Sequence, residues 1–281
     1  MSRKLLIALV GVLALTAVAV PAASAKKKKE GRQYYLAHHA PTAAPKPGNV
    51  ITVHGGGWAG DLGARADEVM ESYIADTRAW GYDTYNVGYR SGRNSLRDVV
   101  DAVRRVVKKN PGEPLCLVGG SAGAHLALIA AIRKRRDIDC VVDIGGPPDL
   151  VNPDNRPLST LVRDLAGAAF GTLSRLLRLS PINRANEIRQ PVLVVAPDCD
   201  SFTSFERQAA FAAALRRGEL VRVAGKKRNV ISDLLERLGL SFFDFGFGSE
   251  PGVDTGHCEV TRRSFDEFRM AERAFLARHL G

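Results

Sequence analysis

Apolar positions along the chain follow two alternating rhythms. Residues 49–53 (Asn-Val-Ile-Thr-Val), 82–87, 115–118, 139–144, 191–195 and 220–224 are short runs rich in Val, Ile, Leu and Tyr, several of them bounded by Gly or Pro. Runs of that length and composition predict buried strands. Between them the spacing widens. Val69, Met70, Tyr73 and Ile74 share one helical face, and Leu96, Val99, Val100, Val103, Val106 and Val107 recur at i, i+3, i+4 and i+7. This predicts a helix over 95–109, with Ser95 and Asp98 as a capping box and Pro111-Gly112 as its stop. Further helices are predicted over 122–135 and over 264–280, the latter with Phe265, Phe268, Phe275 and Leu276 near helical spacing. Strands alternating with helices mean a mostly parallel central sheet with helices on both faces. Two stretches interrupt the alternation: 145–189, Leu-rich and helical over 158–179, and 226–256, which contains the cluster Phe242, Phe243, Phe245 and Phe247. Insertions of this length in a compact domain commonly serve as lids or binding elements.

The first 25 residues follow a different logic. Arg3 and Lys4 precede an almost wholly apolar run to Val20, then Pro21 and Ala23-Ser24-Ala25. A basic start, an apolar centre and small residues at the end predict a secretory signal cut after Ala25, and hence an exported protein. The remaining chain divides into a basic leader over 26–33 and a single domain over 34–281, since neither repeat nor linker interrupts the latter. Lys26, Lys27, Lys28 and Lys29 offer weak association with an anionic cell envelope. A solvated leader is the plainer reading, because like-charge blocks are usually unstructured.

Composition narrows the class. The 281 residues are 45% hydrophobic and 25% charged, with a formal net charge of +10, which suits a globular protein with a sizeable core. The charge has no nucleic-acid motif behind it. Cys116, Cys140, Cys199 and Cys258 contain no C-x-x-C pair, so zinc is not indicated, while export places them where disulfides persist.

The chemistry gathers where strands end. Gly119-Gly120-Ser121-Ala122-Gly123 lies between a predicted strand and a predicted helix, the context a G-x-S-x-G nucleophile elbow requires. His54-Gly55-Gly56-Gly57-Trp58 follows an earlier strand, and three glycines let backbone amides approach a ligand oxygen. A serine nucleophile needs a base and an orienting acid, in the chain order Ser, acid, His. Of the histidines after Ser121, His125 is one helical turn away and reads as packing, and His279 is almost terminal. His257, in Asp254-Thr255-Gly256-His257, is the base. Asp198 and Asp200 both follow the 191–195 strand; loop register favours Asp200 as the acid, leaving Asp198 a turn or cap residue.

Taken together these residues resemble the α/β-hydrolase superfamily in its hormone-sensitive-lipase-like esterase branch. Its anchors are His54 to Trp58, residues 83–90 (Asp-Thr-Tyr-Asn-Val-Gly-Tyr-Arg), Asp98, Gly119 to Ala127, Ser180-Pro181-Ile182 and Pro191-Val192-Leu193-Val194-Val195. The resemblance implies a secreted serine carboxylic-ester hydrolase acting on a small-molecule ester, with no metal or cofactor. Its triad would be Ser121, Asp200 and His257, and its oxyanion hole the amides of Gly56, Gly57 and Ala122. In that fold the acid and base loops meet, so Cys199 and Cys258 are expected to form a disulfide, leaving Cys116 and Cys140 as buried apolar residues. The short stretch before residue 49 implies that the first strands of the sheet are reduced or absent, and the Phe cluster is expected either to line an acyl pocket or to plug the core. The alternatives are a serine peptidase or amidase of the same fold, and a non-catalytic binding protein whose pocket above Ser121 is blocked.

Overall fold

The computed structural model describes residues 34–60, 62–152, 154, 156, 158–226, 253–254, 259–260 and 262–281. Seven strands form one sheet: β1 (Tyr35–His39), β2 (Asn49–Val53), β3 (Asp83–Gly88), β4 (Leu115–Gly120), β5 (Cys140–Ile144), β6 (Val192–Pro197) and β7 (Gly218–Val223), in the order β1-β3-β2-β4-β5-β6-β7. All neighbours are parallel except β1, which runs antiparallel to β3 with Tyr35 opposite Gly88. The edge before β2 is thus a single short strand. A second, small sheet joins β8 (Gly225–Lys226), β9 (Val253–Asp254) and β10 (Glu259–Val260), with β10 in the middle.

Alternate residues of the central strands feed two cores. Ile51, Val53, Leu115, Leu117, Val141, Val192 and Val194 face one side, with Val99, Val103 and Val106 of helix α3 (Arg93–Lys109) and Leu126 to Ala131 of α4 (Ala122–Arg133). Val50, Cys116, Val118, Cys140, Val142, Leu193 and Val195 face the other, with Tyr73 and Ile74 of α2 (Glu71–Ala79) and Phe268, Phe275 and Leu276 of α8 (Arg262–Leu280). Burial on both faces is why these strands read as continuous apolar runs rather than as alternating ones. A five-residue helix, α1 (Arg65–Val69), precedes α2; α5 (Ser159–Phe170), α6 (Leu173–Leu179) and a 3-10 turn (Pro181–Glu187) occupy the first insertion, and α7 (Phe205–Ala214) links β6 to β7.

Three expectations are corrected here. Cys116 and Cys140 stand opposite each other in β4 and β5, with Cα atoms 4.6 Å apart, and are joined as a disulfide rather than being separate apolar residues. A closed loop of that size contributes about 3 kcal/mol by restricting the unfolded chain. The helix predicted from residue 95 begins at Arg93, capped by Gly92, so Ser95 lies within its first turn and donates back to the Gly92 carbonyl at 2.7 Å. Asp98 is therefore no cap: its carboxylate accepts from the Arg90 backbone N–H and guanidinium, both at 2.9 Å, while remaining buried.

Candidate active site

The turn from β4 into α4 lifts Ser121 out of the sheet. Ser121 has φ 50° and ψ −120°, a left-handed conformation that costs a non-glycine residue energy and is typical of functional positions. Its neighbours explain why glycine recurs around it. A β-carbon on Gly123 would lie 2.1 Å from the Val53 carbonyl oxygen, and one on Gly119 would lie 2.6 Å from the Ala124 backbone. Only glycine lets the start of α4 press against the end of β2. Ser121 N–H donates to the Ile144 carbonyl at 2.8 Å, so the elbow is also fastened to β5. Ala122 opens the twelve-residue α4 with its amide free of the helix's own bonds, where the helix dipole favours negative charge.

The glycine loop approaches this elbow from β2. A β-carbon on Gly55 would sit 3.2 Å from the Ser121 Cβ. Gly56 and Gly57 both take positive φ, 98° and 59°, and the Gly56 carbonyl accepts from Ala59 N–H at 3.0 Å. The loop is braced from behind by Tyr89, whose hydroxyl donates to the carbonyls of His54 and Gly55 at 3.1 and 2.9 Å and whose ring stacks on His54 at 4.1 Å. The Arg90–Asp98 pair ties that bracing segment to α3.

The reading of His125 as a packing residue understates it. Trp58 Nε1 donates to His125 Nδ1 at 3.1 Å, and His125 Nε2 donates to the Leu179 carbonyl at 2.8 Å. Those two bonds fix one neutral tautomer, and burial pushes the imidazole pKa down to about 4. His125 thereby locks Trp58, which follows the glycines, to the helix that follows the serine. The Trp in the H-G-G-G-W run and the His in Gly123-Ala124-His125 were the available sequence signals.

Asp200 is 1% exposed at the end of β6, and its Oδ1 accepts from the N–H groups of Phe202 and Thr203 at 2.7 and 3.0 Å. Asp198 faces elsewhere: it accepts from Arg222 at 3.0 Å and from Gly225 N–H at 3.0 Å, pinning the β7–β8 corner. Asp198 is thus a turn residue. Cys199 is disulfide-bonded. His257 and Cys258 fall between β9 and β10 and lie outside the described residues, as do Phe242, Phe243, Phe245 and Phe247, residues 1–33 and with them Lys26 to Lys29.

Ser121, Ala122 and Gly57 share one open pocket of about 390 Å³, open mouth included, walled by Trp58, Pro147, Val162, Leu165 and Phe202. Among the described residues none fills the pocket above the serine. Its apolar wall comes from α5 in the first insertion: Leu165 lies 2.9 Å from where Gly57 would carry a β-carbon. No group of metal-ligating side chains occurs among the described residues.

A buried carboxyl under the pocket floor escaped the sequence reading. Asp143 in β5 accepts from Gly146 N–H at 2.9 Å through Oδ1, while Gln208 donates to the Gly146 carbonyl at 2.8 Å. The pair clamps the 145–147 turn that carries Pro147. Burial pushes the Asp143 pKa from 3.8 up to about 7, against the lowering effect of the Gly146 N–H. Between those values the folded state holds a proton that the unfolded state has released, so this residue's contribution to stability falls as pH rises through that window. Asp143→Asn cannot lose the proton. Its unfolding free energy relative to the parent is expected to rise by about 1.4 kcal/mol per pH unit across that window and to level off outside it. Urea unfolding at a series of pH values measures this; a pH-independent difference would exclude a protonated Asp143.

The family model described as BD-FAE matches residues 35–215. Among solved structures, carboxyl esterase 2 of the mycorrhizal fungus Tuber melanosporum superposes with TM-score 0.63 at 17% identity, over 88% of this chain and 83% of that one. The thermostable carboxylesterase EstE1 from a metagenomic library gives 0.60 at 19%, over 85% and 83%. Thermogutta terrifontis esterase 2, solved phosphonylated by sarin, gives 0.59 at 18%, over 86% and 89%. At these identities the likeness is one of fold, the α/β-hydrolase fold. No curated protein matches the chain.

Proposed function

Since this chain belongs to the BD-FAE family and has the α/β-hydrolase fold, we propose that it is a serine carboxylic-ester hydrolase acting through Ser121, Asp200 and His257. The observation that carries the reading is the strained Ser121 at the head of α4, opening into a pocket it shares with Gly57 and Ala122. In this mechanism His257 accepts the Ser121 proton, Asp200 orients the imidazole, and Ser121 Oγ attacks the ester carbonyl. Amides of Gly56, Gly57 and Ala122 hold the oxyanion, a single donor of this kind being worth about 3 kcal/mol. The alcohol leaves with the proton from His257, and water then hydrolyses the acyl-enzyme by the same route. We further propose that the protein is exported. The signal-like N-terminus supports this, as do the Cys116–Cys140 disulfide and the disulfide at Cys199, since such bonds persist in oxidising compartments.

The wall formed by Val162, Leu165 and Phe202 sets the expected substrate range. Across p-nitrophenyl esters from acetate to palmitate, turnover is expected to be highest for short acyl chains and to fall with length. Leu165→Ala should raise kcat/KM for octanoate relative to acetate by about tenfold, the scale of a methylene or two in an apolar pocket. Matching rates on p-nitroanilides would reassign the protein as an amidase. A folded protein that turns over no ester would overturn the reading.

A further inference from the structure

A second concave site lies behind the first. Helices α3, α4 and α6 and the end of α5 surround a cleft of about 830 Å³, open mouth included, lined by Arg93, Arg97, Arg104, Arg133 and Arg175 above Leu96, Val100, Phe170 and Leu179. Among the described residues no acidic side chain lines it. Arg93, Arg97 and Arg104 are four and seven positions apart on α3, with Leu96 and Val100 beneath them. Arg133 ends α4 and Arg175 comes from α6.

These five guanidinium groups form no ion pair with any described residue. Elsewhere in the same neighbourhood arginines are matched: Arg90 with Asp98, Arg105 with Asp101 and Arg135 with Glu187. Like charges gathered around a low-dielectric concavity repel one another and focus a positive potential into it. The effect registers on Arg133, held below its ordinary value by burial and by the charges of Arg184 and Arg175. Planar guanidinium forks match phosphate oxygens two at a time, which ammonium groups do not.

We propose that this cleft binds a multiply charged phosphate group, carried by a small phosphate compound or by a lipid headgroup. The five arginines would neutralise it, and the Leu96–Val100–Phe170 floor would receive an apolar part beside it. A cleft, rather than a ridge or flat stripe, is the shape for one compact anion and not for an extended polyanion.

Calorimetric titration with inorganic pyrophosphate, and co-sedimentation with phosphatidic-acid against phosphatidylcholine vesicles, test this on the full protein. The parent is compared with Arg97→Gln/Arg104→Gln and with a control that removes the same charge outside the cleft, Arg178→Gln/Arg189→Gln. All four positions are exposed, so thermal melting should show three folded proteins. Binding of pyrophosphate that weakens by about tenfold or more per cleft arginine lost, and survives in the control, supports a soluble phosphate ligand. The same pattern with phosphatidic-acid vesicles alone supports a headgroup. Equal losses in both double variants, or binding to neither probe, would overturn the proposal.

Discussion

Ser121→Ala is expected to lower kcat on p-nitrophenyl acetate by about 10⁴-fold or more, the scale seen when a serine nucleophile is removed from such a site. The substitution takes away only Oγ. The β-carbon remains, as do the φ of 50° and the bond from the backbone N–H to Ile144, so neither the strain nor the fold changes. The melting temperature should stay within a few degrees of the parent. Activity within tenfold of the parent, in protein of the same stability, would mean that the nucleophile is not Ser121.

The second large effect separates two aspartates only two residues apart. Asp200→Asn should reduce kcat by about 10⁴-fold, because in the proposed triad an amide in place of the carboxylate would stabilise the wrong histidine tautomer and withdraw the charge that balances the imidazolium. Asp198→Asn should cost less than tenfold. It weakens the contacts to Arg222 and Gly225 but leaves the oxygen that the Phe202 and Thr203 amides address untouched. The ratio of the two kcat values is the measurement, and a larger loss at Asp198 would exchange their roles. Asp198 also bonds the first residue of β8, and β8 pairs with β10, so stability is where its loss should register.

The strands that carry the site were legible because they are buried on both faces, which leaves runs of Val, Ile and Leu with little else to mean. The elements that escaped lack that signal. β1 is half-buried at the sheet edge and reads Tyr-Leu-Ala-His-His, and the outer strand β7 is mostly exposed, so its start at Gly218 was missed by two residues. The apolar positions of α7 are mainly alanine, which marks no face strongly, although Ser204 caps it by accepting from Arg207 N–H. The glycines and the serine of the site announced themselves because backbone geometry admits almost nothing else there. Asp143 and the Trp58–His125 bond did not, because a buried polar residue has no periodicity and its partner is set by the tertiary fold. The same is true of Cys116 and Cys140: registry between two strands 24 residues apart in sequence decides that they meet.

That covalent tie has a mechanical consequence. The chain between Cys116 and Cys140 contains the last residues of β4, Ser121 and the whole of α4. Force applied to the two ends of the polypeptide passes through the sulfur bridge and skips this ring. About 80 Å of contour length stays slack under load until the bridge is reduced, and the loop that carries Ser121 is shielded from pulling for as long as the bridge is intact.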